Sequence, residues 1–239
     1  AISKYTQKES IPLSVGPQIL TTFISSMPFN LTSGQMNAVN NIKESFKTPS
    51  PSKVLIQGDV GCGKTIVAII ACFHAIIDSH QCLVLVPTEV LCAQHFHTFT
   101  KYLHDYGVVE MISGKTSDKE KLLIKHKIAS GEISVLIGTH ALLFQDYSFN
   151  SLALVIIDEQ HKFGVKQREK ISSRYKKQPH LIYMSATPIP RTLGLVLYES
   201  MNYITIEDKP SYRKVIETVI IDDKQRDKII SSVNDHLHN

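Results

Sequence analysis

The chain has 239 residues, enough for one large domain or two small ones with a substantial core. Apolar residues make up 43% and charged residues 20%, which is ordinary for a soluble globular protein, and no apolar run reaches the roughly 18 residues of a membrane span. The formal net charge of +4 is mild, so it permits nucleic acid as a partner without arguing for one.

The first 28 residues are rich in Ser, Thr and Pro, and they predict a lead-in or linker that packs on the domain. A short helix is expected within it, near residues 18–24. The segment from Thr32 to Gln35 has the capping-box pattern T-x-x-Q. It predicts a helix that begins there and ends near Phe46.

A glycine-rich loop follows, between an apolar strand at 54–56 and an apolar helix at 66–77. Its pattern G-x-x-x-x-G-K-T, in that context, indicates a phosphate-binding loop. Glycines let the backbone wrap an anion, which N–H groups and the positive end of the helix then hold. Lys64 would reach the β- and γ-phosphates, and the Thr65 hydroxyl would bind Mg²⁺. The predicted nucleotide-binding residues of this loop are Gly58, Asp59, Val60, Gly61, Cys62, Gly63, Lys64 and Thr65.

Continuous apolar runs of strand length then recur between helical stretches, which is typical of strands buried on both faces of a parallel sheet. Alternating strands and helices predict a doubly wound α/β domain, whose ligands bind at the carboxyl ends of the strands. The strands are expected at 82–86, 108–112, 135–137, 152–157, 181–184 and 203–206. The helices are expected at 64–79, 90–106, 118–129 and 191–199. Beyond them, a strand at 215–221 and a charged amphipathic helix at 222–237 are predicted.

Asp158 and Glu159 directly follow the strongest predicted strand. Asp158 would hold Mg²⁺, directly or through water, and Glu159 would orient or deprotonate the water that attacks the γ-phosphate. The alternative is an ordinary Asp-Glu surface turn. A glycosidase pair is unlike this pattern, because adjacent residues on a strand point in opposite directions.

Other polar residues also follow predicted strands. The hydroxyls of Ser185 and Thr187 could face the phosphates, because their strand ends at the same edge of the sheet. Thr88 and Thr139 stand at helix N-termini, where they could bind phosphate anions or simply cap the helices. His140 could equally be a core or turn histidine, and Arg191 could pair with a surface carboxylate.

The four cysteines, at 62, 72, 82 and 92, form no C-x-x-C pair and match no zinc pattern. Three of them lie in apolar runs, where a thiol behaves as a small buried hydrophobe, so a reducing cytosol fits. The segment His95-Phe96-His97 has no cysteine or carboxylate partner at ligand spacing. A transition-metal site is therefore not expected.

The segment D-E-Q-H followed by K-F-G-V resembles the first motor domain of a superfamily 2 helicase or translocase. Within that superfamily, the chain is similar to the bacterial branch-migrating DNA helicases, over about residues 28–221. The resemblance implies a RecA-like P-loop NTPase fold, a three-layer sandwich around a mostly parallel sheet, with ATP and Mg²⁺ as cofactors.

The resemblance also assigns roles to residues that match the family motifs. Gln35, in L-T-S-G-Q, would read the adenine. The DNA-facing loops would contain Pro87, Thr88, Gly138, Thr139 and His140. Coupling of nucleotide state to DNA movement would involve Gln160, His161, Ser185, Ala186, Thr187 and Arg191. Lys64, Asp158 and Glu159 would be the catalytic residues.

The resemblance implies a larger parent that translocates on duplex DNA and acts at branched or forked DNA. We expect residues 1–28 to follow a wedge domain, 29–214 to form the first motor domain, and 215–239 to begin a second RecA-like domain. The missing domain would supply arginine fingers, so hydrolysis by this chain alone should be slow. The alternatives are a transcription-repair coupling factor-type translocase, a nucleotide-gated binding module without motor activity, and a metabolic P-loop kinase. Glu89 and Gln160 favour the branch-migrating helicases over the coupling factor.

Overall fold

The computed structural model of the protein describes residues 9–159, 177–187 and 201–208. Its strands are β1 (Lys53–Gly58), β2 (Gln81–Val86), β3 (Val108–Ile112), β4 (Ile133–Thr139), β5 (Leu152–Ile157), β6 (His180–Ser185) and β7 (Asn202–Ile206). They form one seven-stranded sheet in the order β3-β4-β2-β5-β6-β1-β7. Every pairing in it is parallel.

The apolar runs form strands because both faces of the sheet are covered. Every residue of β2, β5 and β6 is buried, as the continuous Val-, Ile- and Leu-rich pattern predicted. The edge strand β3 is more exposed, and its sequence is correspondingly less apolar. The predicted α/β architecture is therefore confirmed, with each strand in the described residues at its expected place.

The helices are α1 (Pro17–Ser25), α2 (Ser33–Phe46), α3 (Lys64–Ile77), α4 (Glu89–Leu103) and α5 (Asp118–Ser130), with a 3₁₀ turn at His140–Phe144. The capping box at the start of α2 is present as predicted: Thr32 accepts from the Gln35 backbone, and the Gln35 side chain accepts from the Thr32 backbone. A second capping box starts α5 at Ser117. The predicted elements at 191–199, 215–221 and 222–237 lie outside the described residues.

The main core lies between the sheet and helices α1 to α4. Phe23 of α1 stacks on Phe73 of α3 with ring centroids 3.9 Å apart, so the lead-in segment packs on the domain. A smaller core lies on the opposite face, under α5. Because helices cover both faces of the sheet, ligands in such a fold bind at the carboxyl ends of the strands. No helix in the described parts of the chain is long and apolar enough to cross a membrane.

Candidate nucleotide site

The loop after β1 requires glycine at its two fixed positions. A Cβ on Gly58 would lie 2.6 Å from both the Cys62 sulfur and the backbone oxygen of Ile206. Gly63 has a φ of 89°, and a Cβ there would collide with the Gln35 amide. Both positions therefore need the absence of a side chain, which agrees with the sequence interpretation of this loop.

The buried Gln35 side chain holds the glycine loop through a hydrogen bond. Its Nε2 donates a hydrogen bond to the Cys62 carbonyl (2.7 Å), and its Oε1 accepts one from the Thr32 backbone (2.9 Å). Only 3% of the residue is exposed. A contact between Gln35 and adenine remains a prediction, and it would require these bonds to be exchanged.

Lys64 is the first residue of α3, and its ammonium group points back into the loop. The Nζ atom donates to the carbonyls of Gly58 (2.6 Å) and Asp59 (3.0 Å). These are backbone acceptors, with no carboxylate among them, so the positive charge is available to an anion. Lys64 and Thr65 both face a cleft at the carboxyl edge of the sheet.

Asp158 and Glu159 follow β5 and reach the same cleft. The Asp158 backbone N–H donates to Leu85 at the end of β2 (2.8 Å), which extends the sheet by one residue. Its Oδ1 accepts from the Glu159 backbone (3.0 Å). Glu159 has a φ of 54°, a left-handed conformation that is uncommon for a residue with a side chain. Such conformations cluster at functional sites.

His95 is a site residue that the sequence analysis missed. Its Nε2 lies 2.9 Å from Asp158 Oδ2, and the two side chains are 7% and 13% exposed. The interpretation that His95 has no carboxylate partner was based on spacing along the chain, but Asp158 is 63 residues further on. Packing of α4 across the sheet brings the two together.

The cleft has a volume of about 360 Å³ and combines the loop, the β5 terminus and one face of α4. Leu91, Gln94, His95 and Thr98 form this face at i, i+3, i+4 and i+7, the spacing of a single helix side. That periodicity, with its polar residues, is the sequence signal that could have found them. The residues that line the cleft are Val60, Gly61, Lys64, Thr65, Leu91, Gln94, His95, Thr98, Asp158, Glu159, Met184 and Ala186.

Ser185 and Thr187 bond to each other. Ser185 is fully buried, and its Oγ lies 3.1 Å from both the hydroxyl and the carbonyl of Thr187. The sequence analysis allowed both hydroxyls to face the phosphates, whereas in this structure Ala186 lines the cleft and the two hydroxyls contact each other. Gln160, His161 and Arg191 lie outside the described residues.

The residues expected in the DNA-facing loops stand where β2 and β4 end. These strands are neighbours, and β5 pairs with the other side of β2, so the loops and the cleft share one edge of the sheet. Thr88 accepts a hydrogen bond from the Leu91 backbone (3.3 Å), which is the capping alternative. Thr139 makes no such cap. DNA contact remains a prediction for Pro87, Thr88, Gly138, Thr139 and His140.

Comparisons with known proteins agree on one family. The family model described as DEAD/DEAH box helicase matches residues 32–196. The ATP-dependent DNA helicase RecG of Aquifex aeolicus is 39% identical over 234 residues, which are 97% of this chain and 30% of the relative. RecG of Escherichia coli strain K12 is 38% identical over 227 residues, which are 93% of this chain and 33% of the relative. The chain thus spans about a third of the length of these curated relatives.

A solved structure of a relative agrees with this family, and a more distant one has a similar fold. A RecG structure bound to a three-way DNA junction has a TM-score of 0.80 and 34% identity, and the match covers 95% of this chain and 30% of that chain. The UvsW helicase of bacteriophage T4 has a TM-score of 0.61 at 16% identity, covering 83% of this chain and 70% of its own. The second likeness concerns the fold alone.

Proposed function

Because the chain belongs to the DEAD/DEAH box helicase family, which uses ATP, we propose that it is the ATP-binding motor domain of a RecG-type DNA helicase. One observation carries the proposal: the cleft brings Lys64 of the glycine loop together with Asp158 and Glu159 from a strand two positions away in the sheet. A cation for phosphates and a carboxylate pair for metal and water are the parts that ATP hydrolysis requires.

The nucleotide would bind with its phosphates on the loop. The backbone N–H groups around Gly61 and Gly63, and the N-terminus of α3, would hold the β- and γ-phosphate oxygens. Lys64 would exchange its two carbonyl contacts for phosphate oxygens, which are stronger acceptors because they are charged. Glu159 would orient the attacking water and accept its proton.

The oxygen donors in the cleft suit Mg²⁺. The Thr65 hydroxyl and the Asp158 carboxylate are hard ligands, and Mg²⁺ usually takes one or two carboxylates and completes its shell with phosphates and water. Among the described residues no cluster of three or more His, Cys, Asp or Glu side chains forms a metal site, and none is needed for this binding mode. Bound Mg²⁺ would neutralise phosphate charge during transfer.

The parent protein would couple this ATPase to movement along duplex DNA, with branch migration at forks and junctions. The DNA partner is supported by the junction-bound RecG structure, which covers 95% of this chain. Pro87, Thr88, Gly138, Thr139 and His140 would contact the DNA backbone beside the cleft. Ser185, Ala186 and Thr187, with Gln160, His161 and Arg191, would link nucleotide state to that movement.

We also propose the domain division and the location. Residues 29–214 would form the first motor domain, after a lead-in at 1–28 and before the start of a second motor domain at 215–239. The relatives are longer than this chain, which leaves room for wedge and second motor domains in the parent. A bacterial cytoplasmic location is supported by four buried free thiols and by bacterial relatives. A transcription-repair coupling factor-type translocase remains the second candidate.

Removal of the Lys64 ammonium group tests the nucleotide site. We expect Lys64→Ala to weaken binding of a fluorescent ADP analogue by at least tenfold, because a hydrogen bond to a charged group is worth about 1.5–3 kcal/mol. Lys47→Ala is the control, since Lys47 pairs with Glu44 on the exposed surface. Fluorescence titration gives both affinities. Equal affinity in wild type and Lys64→Ala would contradict the assignment of this loop.

A further inference from the structure

Asp158 is held at both of its carboxylate oxygens. Oδ2 contacts Nε2 of His95 at 2.9 Å, and Oδ1 accepts from the Glu159 backbone at 3.0 Å. The backbone contact is local, whereas the His95 contact comes from a helix on the other side of the cleft. The orientation of this carboxylate therefore depends on a residue that none of the family motifs discussed above includes.

The contact also determines which nitrogen of His95 bears hydrogen. An ionised carboxylate only accepts hydrogen bonds, so Nε2 is the donor. The other nitrogen, Nδ1, is buried and has no hydrogen-bond partner among the described residues. The ring is buried next to Phe99, with centroids 5.8 Å apart. In the described structure, Asp158 is thus the single polar partner of a buried imidazole.

A buried polar group is costly unless it is hydrogen-bonded, and an apolar residue could fill this position of α4 without that cost. The hydrogen bond to Asp158 offsets part of this cost and couples the buried imidazole to the carboxylate. Each carboxylate oxygen has two lone pairs, so the donor from His95 leaves a second lone pair of Oδ2 for a metal ion or its water. Hydrogen bonds of this kind orient metal-binding carboxylates in other proteins.

We propose that His95 is a positioning residue that fixes the Asp158 carboxylate in the orientation that holds Mg²⁺ with the bound nucleotide. The inference rests on the proposed function of the cleft, since it requires Asp158 to serve the metal. Loss of such an outer partner typically reduces metal affinity by about 10–100-fold. The nucleotide contacts that need no metal, from the loop and Lys64, would be unaffected.

The test separates metal-dependent from metal-independent binding. Affinity of a fluorescent, non-hydrolysable ATP analogue for the 239-residue chain is measured with Mg²⁺ and with EDTA. The relevant quantity is the affinity with Mg²⁺ divided by the affinity with EDTA. We expect His95→Leu and His95→Asn to lower this ratio by about tenfold, with the EDTA value unchanged. The amide nitrogen of Gln reaches as far as Nε2, whereas that of Asn reaches only as far as Nδ1, so His95→Gln should retain most of the wild-type ratio.

His97→Gln is the matched control, because His97 is an exposed residue of the same helix. It should keep the wild-type ratio. A wild-type ratio in both His95→Leu and His95→Asn would overturn the inference and leave the proposed function intact. Equal weakening with Mg²⁺ and EDTA would also overturn it, since that indicates general damage to the cleft. A wild-type chain that binds no nucleotide in either condition would overturn both proposals.

Discussion

The backbone at the carboxyl end of β5 determines where the side chains of Asp158 and Glu159 lie. Glu159 lies in a left-handed backbone conformation immediately after Asp158, and this turn directs residues 158 and 159 into one cleft. An extended strand would place adjacent side chains on opposite faces. In the proposed function, the turn would let one carboxylate serve the metal and the other serve the water.

Glu159→Gln should separate binding from hydrolysis. The amide keeps the size of the side chain but accepts a proton poorly, so we expect ATP turnover of the full-length protein to fall by about 100-fold or more with nucleotide affinity retained. Steady-state hydrolysis with DNA present gives the rate. Glu132→Gln is the control, because Glu132 pairs with Lys127 away from the cleft. Turnover that survives in Glu159→Gln would remove Glu159 from this role.

His74 makes the stability of the domain depend on pH. The residue is 1% exposed on α3, and neither ring nitrogen has a hydrogen-bond partner among the described residues. Burial, and to a lesser degree nearby Lys43, lowers its pKa from 6.5 to about 4. Burial also lowers the pKa of His180, whose Nε2 lies 2.8 Å from the Ile11 carbonyl.

A lowered histidine pKa means that the unfolded chain binds the proton more tightly. Protonation of His74 therefore costs the folded state nothing above pH 6.5, and the free energy of unfolding falls as the pH drops from 6.5 towards 4. Between pH 7.5 and 5, the free energy of unfolding of His74→Leu should fall by about 2 kcal/mol less than that of wild type. Urea unfolding at the two pH values measures this difference. His126→Gln, at an exposed position, should behave as wild type, and an unchanged pH dependence in His74→Leu would show the lowered pKa to be absent.

At the scale of elements, the N-terminus of α2 connects the end of β7 with the glycine loop. Asp208, just after β7, accepts hydrogen bonds from the Ser33 hydroxyl (2.7 Å) and the Gly34 backbone (2.8 Å). These bonds lower the pKa of Asp208. The same helix end bears Gln35, whose amide holds the glycine loop at Cys62. The capping groups of α2 therefore position the loop as well as the helix.

Thr32→Ala should destabilise the domain through this helix end. It removes the acceptor for the Gln35 backbone, and loss of such a cap costs about 0.5–2 kcal/mol. Thr32→Ser keeps the hydroxyl and should stay within a few tenths of a kcal/mol of wild type. Urea unfolding at pH 7.5 gives the free energies. Equal stability of the Ala and Ser variants would mean that the cap contributes nothing.

At the scale of the whole molecule, the candidate functional residues lie together at the carboxyl ends of the strands. The loop after β1 and the carboxylates after β5 are separated by β6 alone, and the expected DNA-facing loops follow β2 and β4 on the other side of β5. The proposed nucleotide site and the expected DNA-facing loops thus lie at the same ends of the strands, an arrangement that would suit a motor in which one ligand influences the other. A second motor domain, expected in the parent, would close over this edge.

The second domain should decide the rate of hydrolysis. We expect the 239-residue chain alone to bind ATP but hydrolyse it slowly, because arginine fingers supplied by a partner domain are worth about 10³–10⁵ in related NTPases. The full-length protein should show turnover that branched DNA stimulates. A coupled ATPase assay with and without DNA compares the two. Fast, DNA-stimulated turnover by the short chain would contradict the incomplete-site proposal, and absence of turnover in the full-length protein would favour a non-motor binding module.

The sequence by itself determined the architecture, the glycine loop and the family. Runs such as 152–157 are typical of strands buried on both faces, and the spacing of Gly58, Gly63, Lys64 and Thr65 could be recognised because all its members are close in the chain. These features depend on local order and periodicity, which one sequence displays directly.

Only the tertiary structure decided which distant side chains meet. Helical periodicity places His95 on a face of α4, but the packing of that helix on the sheet selects Asp158 as its partner. In the same way, Gln35 meets the carbonyl of Cys62, and the Ser185 hydroxyl meets that of Thr187. The physical reason is that a pattern along the chain defines which face of an element is buried, whereas a hydrogen bond within about 3 Å depends on how two elements pack together.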